Sequence, residues 1–403
     1  MVARTQKVAV QRSIQADPRQ VYRAFTNATV LREWFCDVAT VSPRPGGRIY
    51  MAWDDGYYTS GSYLVLKEFK AVAFTWFGRG EPRETRVSVR IKPQKGGALL
   101  ALEHLRIGTS KAWTPFAGEF QKEWEKSLDN LVSVLETGED LRLTRRPMIG
   151  IGVSDFDEEI ARQIGVPVSK GIRLDTVVEG MGAQAAGLAS GDVIVRLGGR
   201  DTSDGAALHA AIQVHRAGDR VEVEYYRGAQ KMSTTLEFSR RPLPELPTTL
   251  AELVGIMRHK SEAGLTDLDG FIAGLTDAEA SFKPNLESWS VKEVLAHLIH
   301  GERDTQQFIC GIAGYQQAHY DGYAGNQQAR ITATTVVYPM LADLVGELKR
   351  CSQETIALAA ALPSDFVAHK AAFWQIAYGA AEPDYHITTH LEQMRSAVQA
   401  ARQ

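Results

Sequence analysis

Cysteine is scarce: Cys36, Cys310 and Cys351 are the only three in 403 residues, widely spaced and odd in number. That argues against a disulfide framework and for a reducing compartment, and no Cys-x-x-Cys pair occurs. No run of about 18 apolar residues is present, so no membrane span is expected. The opening Met-Val-Ala-Arg-Thr-Gln-Lys-Val-Ala-Val lacks an apolar core of the signal-peptide kind, and a cytoplasmic location is the expectation. Net charge is −3 with no basic stripe, which gives no reason to expect nucleic acid. No Gly-x-Ser-x-Gly elbow appears anywhere in the chain.

What is present is the composition of folded protein, 44% hydrophobic and 23% charged, enough apolar residues for several cores. The length calls for two to four domains. Strand-like alternation over Val8 to Ile14 is followed by Asp17-Pro18, an N-cap and first-turn pair that opens a helix. A second short helix carries Leu31, Trp34 and Phe35. From Gly46-Gly47 to about Ile107 the chain reads as successive strands broken by turn residues. Phe116, Phe120, Trp124, Leu128, Leu131 and Leu135 then recur at helical spacing over residues 115–137.

This order resembles the START-like (SRPBCC) helix-grip fold, in the branch of chaperone-ATPase activator homologues. The match is carried by Ala16-Asp17-Pro18-Arg19-Gln20-Val21-Tyr22-Arg23-Ala24-Phe25, Leu31-Arg32-Glu33-Trp34-Phe35, Gly46-Gly47-Arg48-Ile49 and Phe74-Thr75-Trp76. The resemblance implies an apolar cavity between sheet and long helix, for an apolar small molecule or a protein partner. Trp34, Trp53, Tyr63, Trp76, Trp113 and Trp124 are its candidate lining residues; for any single one of them a core aromatic is the commoner case.

The middle of the chain carries Ala185-Ala186-Gly187-Leu188 with Gly191-Asp192-Val193-Ile194, after a glycine-punctuated apolar stretch, Pro147 to Val153. Asp204 to His215 reads as a helix, and Val221 to Phe238 as a hairpin around Arg227-Gly228-Ala229-Gln230. This resembles a PDZ domain of the HtrA type, which implies capture of a peptide or protein C-terminus as an added strand. Carried over, Ile149, Gly150 and Ile151 form the carboxylate loop, and the helix with Leu208 and Ile212 the other wall. A bland reading gives Gly150 and Gly152 only a turn to make.

Beyond the proline-rich linker Arg240 to Pro247, strand signals fade and helices are expected at 248–275, 289–315, 337–362 and 384–401. If the last is helical, His386 and His390 sit one turn apart on one face, a spacing that can hold one metal ion. His297 lies on the flank of an apolar stripe formed by Val291, Val294, Leu295 and Leu298 on an earlier helix, and could complete the set. Taken alone, a His-x-x-x-His spacing arises often by chance. Trp289 to Leu298, taken with His386-Ile387-Thr388-Thr389-His390, resembles the DinB/YfiT-like bundles, which include bacterial thiol transferases. The resemblance implies that His297, His386 and His390 ligate a divalent metal, zinc or nickel. Asp304 is a candidate to orient a ligating histidine or to be a fourth ligand, with Tyr385 and Glu392 behind it.

The expected whole is a multidomain α+β protein: a helix-grip START-like domain over 1–143, a PDZ β-barrel-like domain over 146–241 and an all-α DinB-like four-helix bundle over 247–403. One functional reading is a metal-dependent thiol transferase or hydrolase served by two binding modules. The other is a non-catalytic adaptor or ligand sensor that recruits peptides, its bundle kept for stability or for a homodimer.

Overall fold

A computed structural model describes residues 5–285, 288–317, 327–382 and 386–403. The chain divides into two compact units. One combines residues 1–139 with 244–403, and the other is residues 140–243.

The first unit opens with β1 (Thr5–Ile14), whose Val8, Val10 and Ile14 face inward. Helix α1 (Pro18–Arg23) begins where the Asp17 carboxylate accepts the Arg19 N–H, and α2 (Ala28–Trp34) where the Asn27 side chain accepts the Val30 N–H. Six strands follow: β2 (Val38–Val41), β3 (Arg48–Ala52), β4 (Tyr58–Lys67), β5 (Ala71–Gly78), β6 (Thr85–Gln94) and β7 (Gly97–Gly108). With β1 they make one antiparallel sheet in the order β1-β7-β6-β5-β4-β3-β2. Helix α3 (Thr114–Glu136) buries Phe120, Trp124, Leu128, Leu131 and Val134 in the same core as the sheet's inward residues. Their three- and four-residue spacing gives the helix one apolar stripe.

The second unit holds α4 (Leu141–Thr144), β8 (Ile151–Ser154), α5 (Glu158–Ile164), β9 (Ile172–Val177), α6 (Gly182–Ala185), β10 (Val193–Leu197), β11 (Arg200–Asp201), α7 (Gly205–Gln213), β12 (Arg220–Arg227) and β13 (Gln230–Glu237). Its sheet runs β13-β12-β10-β9-β8, with β11 paired to β10, so β8 is an edge strand. The β12–β13 hairpin closes through Gly228-Ala229, between the paired Arg227 and Gln230. Asp192, only 1% exposed, joins the preceding turn to this hairpin. It accepts both Arg227 guanidinium donors at 2.8 Å and the Ala189 N–H at 2.8 Å. Replacing Asp192 with alanine removes these charge-assisted bonds, leaves the half-exposed Arg227 to water and is expected to destabilise this unit by about 1–2 kcal/mol. Amide hydrogen exchange of β12 and β13 would rise accordingly; unchanged protection would refute the assignment.

The chain then returns to the first unit with α8 (Leu250–Ile272), α9 (Asp277–Ser281), α10 (Val291–Ala313), α11 (Gln327–Val337), α12 (Leu341–Ala360), α13 (Lys370–Ala381) and α14 (His386–Ala401). Thr276–Glu279 and Ser290–Glu293 form capping boxes that set the starts of α9 and α10. The four expected long helices are α8, α10, α12 and α14. Helices α9, α11 and α13 are additional; in α13, Ala371, Ala372, Phe373, Trp374, Ile376 and Ala377 are all buried, so it shows no clear amphipathic period to read.

This helical part is joined to the sheet domain. Glu33, 4% exposed, meets His369 Nε2 at 3.1 Å. The His369 ring stacks on Tyr315 at 4.2 Å between centroids, and the Arg23 guanidinium lies 4.0 Å over the same tyrosine. Asn27 donates to the Tyr315 carbonyl, and Arg32 to that of Gln317. Among the described residues no single helix is long and apolar enough to cross a membrane. The bent pair α11–α12 meets that test only jointly, with a 115° break, and Leu341, Leu344 and Leu348 of α12 are core residues.

Candidate metal centre and binding cavities

Helix α10 turns Val291, Val294, Leu295, Leu298 and Ile299 into the helical core and leaves His297 half-buried on the flank. Helix α14 does the same with Ile387, Leu391, Met394 and Val398, leaving His386 and His390 on its flank. The two flanks face each other. One ring nitrogen from each of His297, His386 and His390 lies within 4.8 Å of the others, and His386 Nε2 is 2.9 Å from His297 Nε2. Two imidazoles bonded to one zinc ion at tetrahedral angles stand roughly 3.3 Å apart, so the donor set fits a metal with little movement.

The rings are held in place. The His390 Nδ1–H donates to Gln393 Oε1 at 2.8 Å, which leaves Nε2 as the free donor atom. The Gln327 amide lies 2.9 Å from His297 Nδ1; turned through half a circle it presents its oxygen to an Nδ1–H. Trp289 packs on the His297 ring at 5.1 Å. Although His386 is exposed as a residue, its ring is packed against the other two, and loss of water, then the neighbouring His297 and His390, push its pKa down to about 4. Burial, then His390, also lowers that of His297. Neutral imidazoles are what a metal requires.

Asp304 does not join this group. It lies two turns from His297 along α10 and forms a two-pronged ion pair with Arg330, at 2.7 and 3.0 Å. Glu392 points to solvent beside Arg395, its side chain 81% exposed. Tyr385 lies outside the described residues. The groups that contact the histidines, Gln327 and Gln393, were not expected; Gln393 is detectable in principle, three residues after His390 on the same face.

Beside His386 opens a cavity of about 340 Å³ between α8, α10, α12 and α13. Lys260, Ser261, Glu302, Ser352, Thr355 and Gln375 supply its polar wall. The Thr355 hydroxyl donates to Glu302 Oε2 at 2.7 Å, and the Ser261 and Ser352 hydroxyls bond at 2.6 Å. Gly301 lets His386 approach, because a Cβ there would stand 2.7 Å from His386 Nδ1.

A second cavity, about 310 Å³, lies between the sheet and α3. Trp53, Trp76 and Trp124 line it, together with Phe35, Tyr57 and Phe120, which were not expected. Trp34, Tyr63 and Trp113 do not line it: they are core residues. Trp34 Nε1 donates to the Ala24 carbonyl at 3.0 Å, the Tyr63 hydroxyl to that of Phe25 at 2.9 Å, and Trp113 packs against Gly108. Behind the cavity wall, Glu81 Oε1 accepts from the Tyr57 hydroxyl at 2.7 Å and from Trp76 Nε1 at 2.9 Å. Burial, then the Glu81 carboxylate, raises the Tyr57 pKa, so the phenol stays protonated.

In the middle unit Gly150 has φ +81°, and a Cβ there would run into Met181, so the glycine is required by close packing as well as by the turn. Ile149 and Leu208 are buried in that unit's core, with Ile151 and Ile212 half-buried at its edge. The edge strand β8 follows this loop directly.

Comparison with known families gives three successive matches along the chain. Residues 15–136 match the family described as activator of Hsp90 ATPase homolog 1-like protein, residues 147–238 the PDZ domain, and residues 262–394 the DinB superfamily. The chain is an activator-homologue-like domain, a PDZ domain and a DinB-like domain in series. The Do-like serine protease HtrA of Lactococcus lactis is 30% identical over 158 residues, covering 36% of this chain and 38% of that protein. The periplasmic serine endoprotease DegP of Escherichia coli is 27% identical over 150 residues, covering 36% of this chain and 31% of that protein. The chain thus spans less than two-fifths of the length of these relatives. Among solved structures, the Aha1 dimer from Colwellia psychrerythraea is 18% identical, with 32% of this chain and 96% of that chain covered and a TM-score of 0.30. A Mesorhizobium loti protein is 22% identical, with 32% and 97% covered and a TM-score of 0.30.

Proposed function

We propose that the DinB-like domain is a metal-dependent transferase or hydrolase whose metal, zinc or nickel, is held by His297, His386 and His390. One observation carries this reading: three imidazoles from two helices converge within 4.8 Å, and one of them, His386, also lines the adjoining cavity. A dication bound there would lower the pKa of a thiol or a water. Gln327 and Gln393 orient the rings, Ser261 and Thr355 hold the polar end of a substrate, and Glu302 takes or gives the proton. The activator-homologue-like domain supplies an apolar ligand site in its aromatic cavity. The PDZ domain recruits a peptide C-terminus along β8, with the amides of Ile149, Gly150 and Ile151 around its carboxylate. The chain's three cysteines, too few and too scattered for a disulfide framework, fit a reducing compartment such as the cytoplasm.

Metal content by plasma mass spectrometry tests the reading. Wild type is expected to carry about one metal per chain and His386→Ala/His390→Ala to carry none. A wild type that stays empty after incubation with zinc and with nickel would sink the enzyme and leave a non-catalytic adaptor built on the two binding modules.

A further inference from the structure

The cavity between sheet and α3 has a charge pattern that a purely apolar ligand does not use. Trp53, Trp76 and Trp124 line it, with Phe35 stacked on Trp124 at 5.1 Å and edge-on to Trp53 at 5.2 Å. Its charged lining residues are Asp55, Glu119 and Glu123, and among the described residues no lysine, arginine or histidine lines it. Lys122 and Lys126 meet Glu119 and Glu123, but every side chain of these pairs is more than half exposed, so the pairing is weak.

The independent observation is Glu81. It is 5% exposed, and its Oε2 is buried without a hydrogen-bond partner. Buried carboxylates are ordinarily matched by a cation. Among the described residues, only the Tyr57 hydroxyl and the Trp76 indole N–H meet it, both from residues of the cavity wall. A carboxylate accepting from those two groups also pushes electron density into their rings, which strengthens the attraction of a cation to the ring faces.

We propose that this cavity binds an organic cation, an alkyl- or arylammonium group carried on an apolar body, with the ammonium against the Trp53, Tyr57 and Trp76 faces and Glu81 as its buried counter-charge. This rests on the reading of the cavity as a ligand site. An anionic ligand is excluded by the same charges. A neutral ligand fills the volume but leaves Glu81 unmatched.

Phenyltrimethylammonium and its uncharged carbon isostere tert-butylbenzene separate the two ideas, titrated into the full-length protein and followed by tryptophan fluorescence. The cation is expected to bind about tenfold more tightly than the isostere. Glu81→Gln should remove most of that preference while leaving tert-butylbenzene affinity unchanged. If Glu81→Gln does not fold, as judged by its circular dichroism melt, Asp55→Asn/Glu119→Gln/Glu123→Gln alters only exposed or half-exposed groups and should reduce the preference several-fold. Equal affinity for the two probes in wild type overturns the cation assignment and leaves an apolar ligand site. Binding of neither overturns both.

Discussion

Lowering the pH from 7 to 5 is expected to cost the sheet domain about 2 kcal/mol of stability through His104 alone, and His104→Gln should abolish that part of the loss. His104 is fully buried, and burial pushes its pKa down to about 3. The hydrogen bonds around it explain why a second proton is refused. Trp124 Nε1–H donates to His104 Nδ1 at 3.2 Å. On the other side the Thr85 hydroxyl, 2.7 Å from Nε2, spends its own proton on the Trp76 carbonyl, so Nε2–H donates to it. A protonated ring would set Nδ1–H against the indole N–H. The unfolded chain takes up the proton near pH 6.5 and the folded one only near pH 3. Stability is therefore complete above pH 6.5 and falls steadily as the pH drops toward 3. Glutamine can accept from Trp124 and donate to Thr85 without titrating. Urea unfolding followed by tryptophan fluorescence at pH 7 and 5 checks this; identical pH slopes in wild type and variant would defeat it.

Gly301→Ala should separate metal affinity from stability. Within α10 the substitution favours the helix by about 1 kcal/mol. The new Cβ would stand 2.7 Å from His386 Nδ1 and 2.9 Å from Cε1, too close for the imidazole to stay where it meets His297. We expect metal affinity to fall by between tenfold and a hundredfold, the usual cost of disturbing a ligand's orientation, with the melting temperature unchanged or raised. Competition against a zinc-chelating dye measures the affinity. An unchanged affinity would mean that His386 is not a ligand at the position described.

Local chemistry was legible in the chain itself. The Ser290 and Asp17 caps, the stripe on α3 and the i, i+4 spacing of His386 and His390 depend on short windows and helical geometry, and they mark elements whose neighbours follow the same rules. The motifs of the PDZ and DinB-like domains are likewise local runs of residues. The partition of the tryptophans was not legible. Trp34, Trp76 and Trp124 are all large, apolar and buried, and only the distance between sheet and helix at each point decides which one faces a cavity. Asp304 shares a helix face with His297, but Arg330 on another helix claims it, a pairing no single-helix argument contains. Helix α13 conceals itself because its buried apolar residues outnumber the few polar ones that would mark a solvent face. Glu81 stands five residues after Trp76, unremarkable in sequence; its unmatched oxygen arises because the turn folds back on the cavity wall while its own arginines, Arg79 and Arg83, donate to the Gly56 and Arg106 carbonyls instead. The joining of residues 1–139 to 244–403 in one compact unit is a long-range property of the same kind, since Glu33 and His369 meet across 336 positions of sequence. Short-range preferences determine elements and ligand spacing, whereas cavities, charge pairing and domain junctions come from residues that only folding brings together.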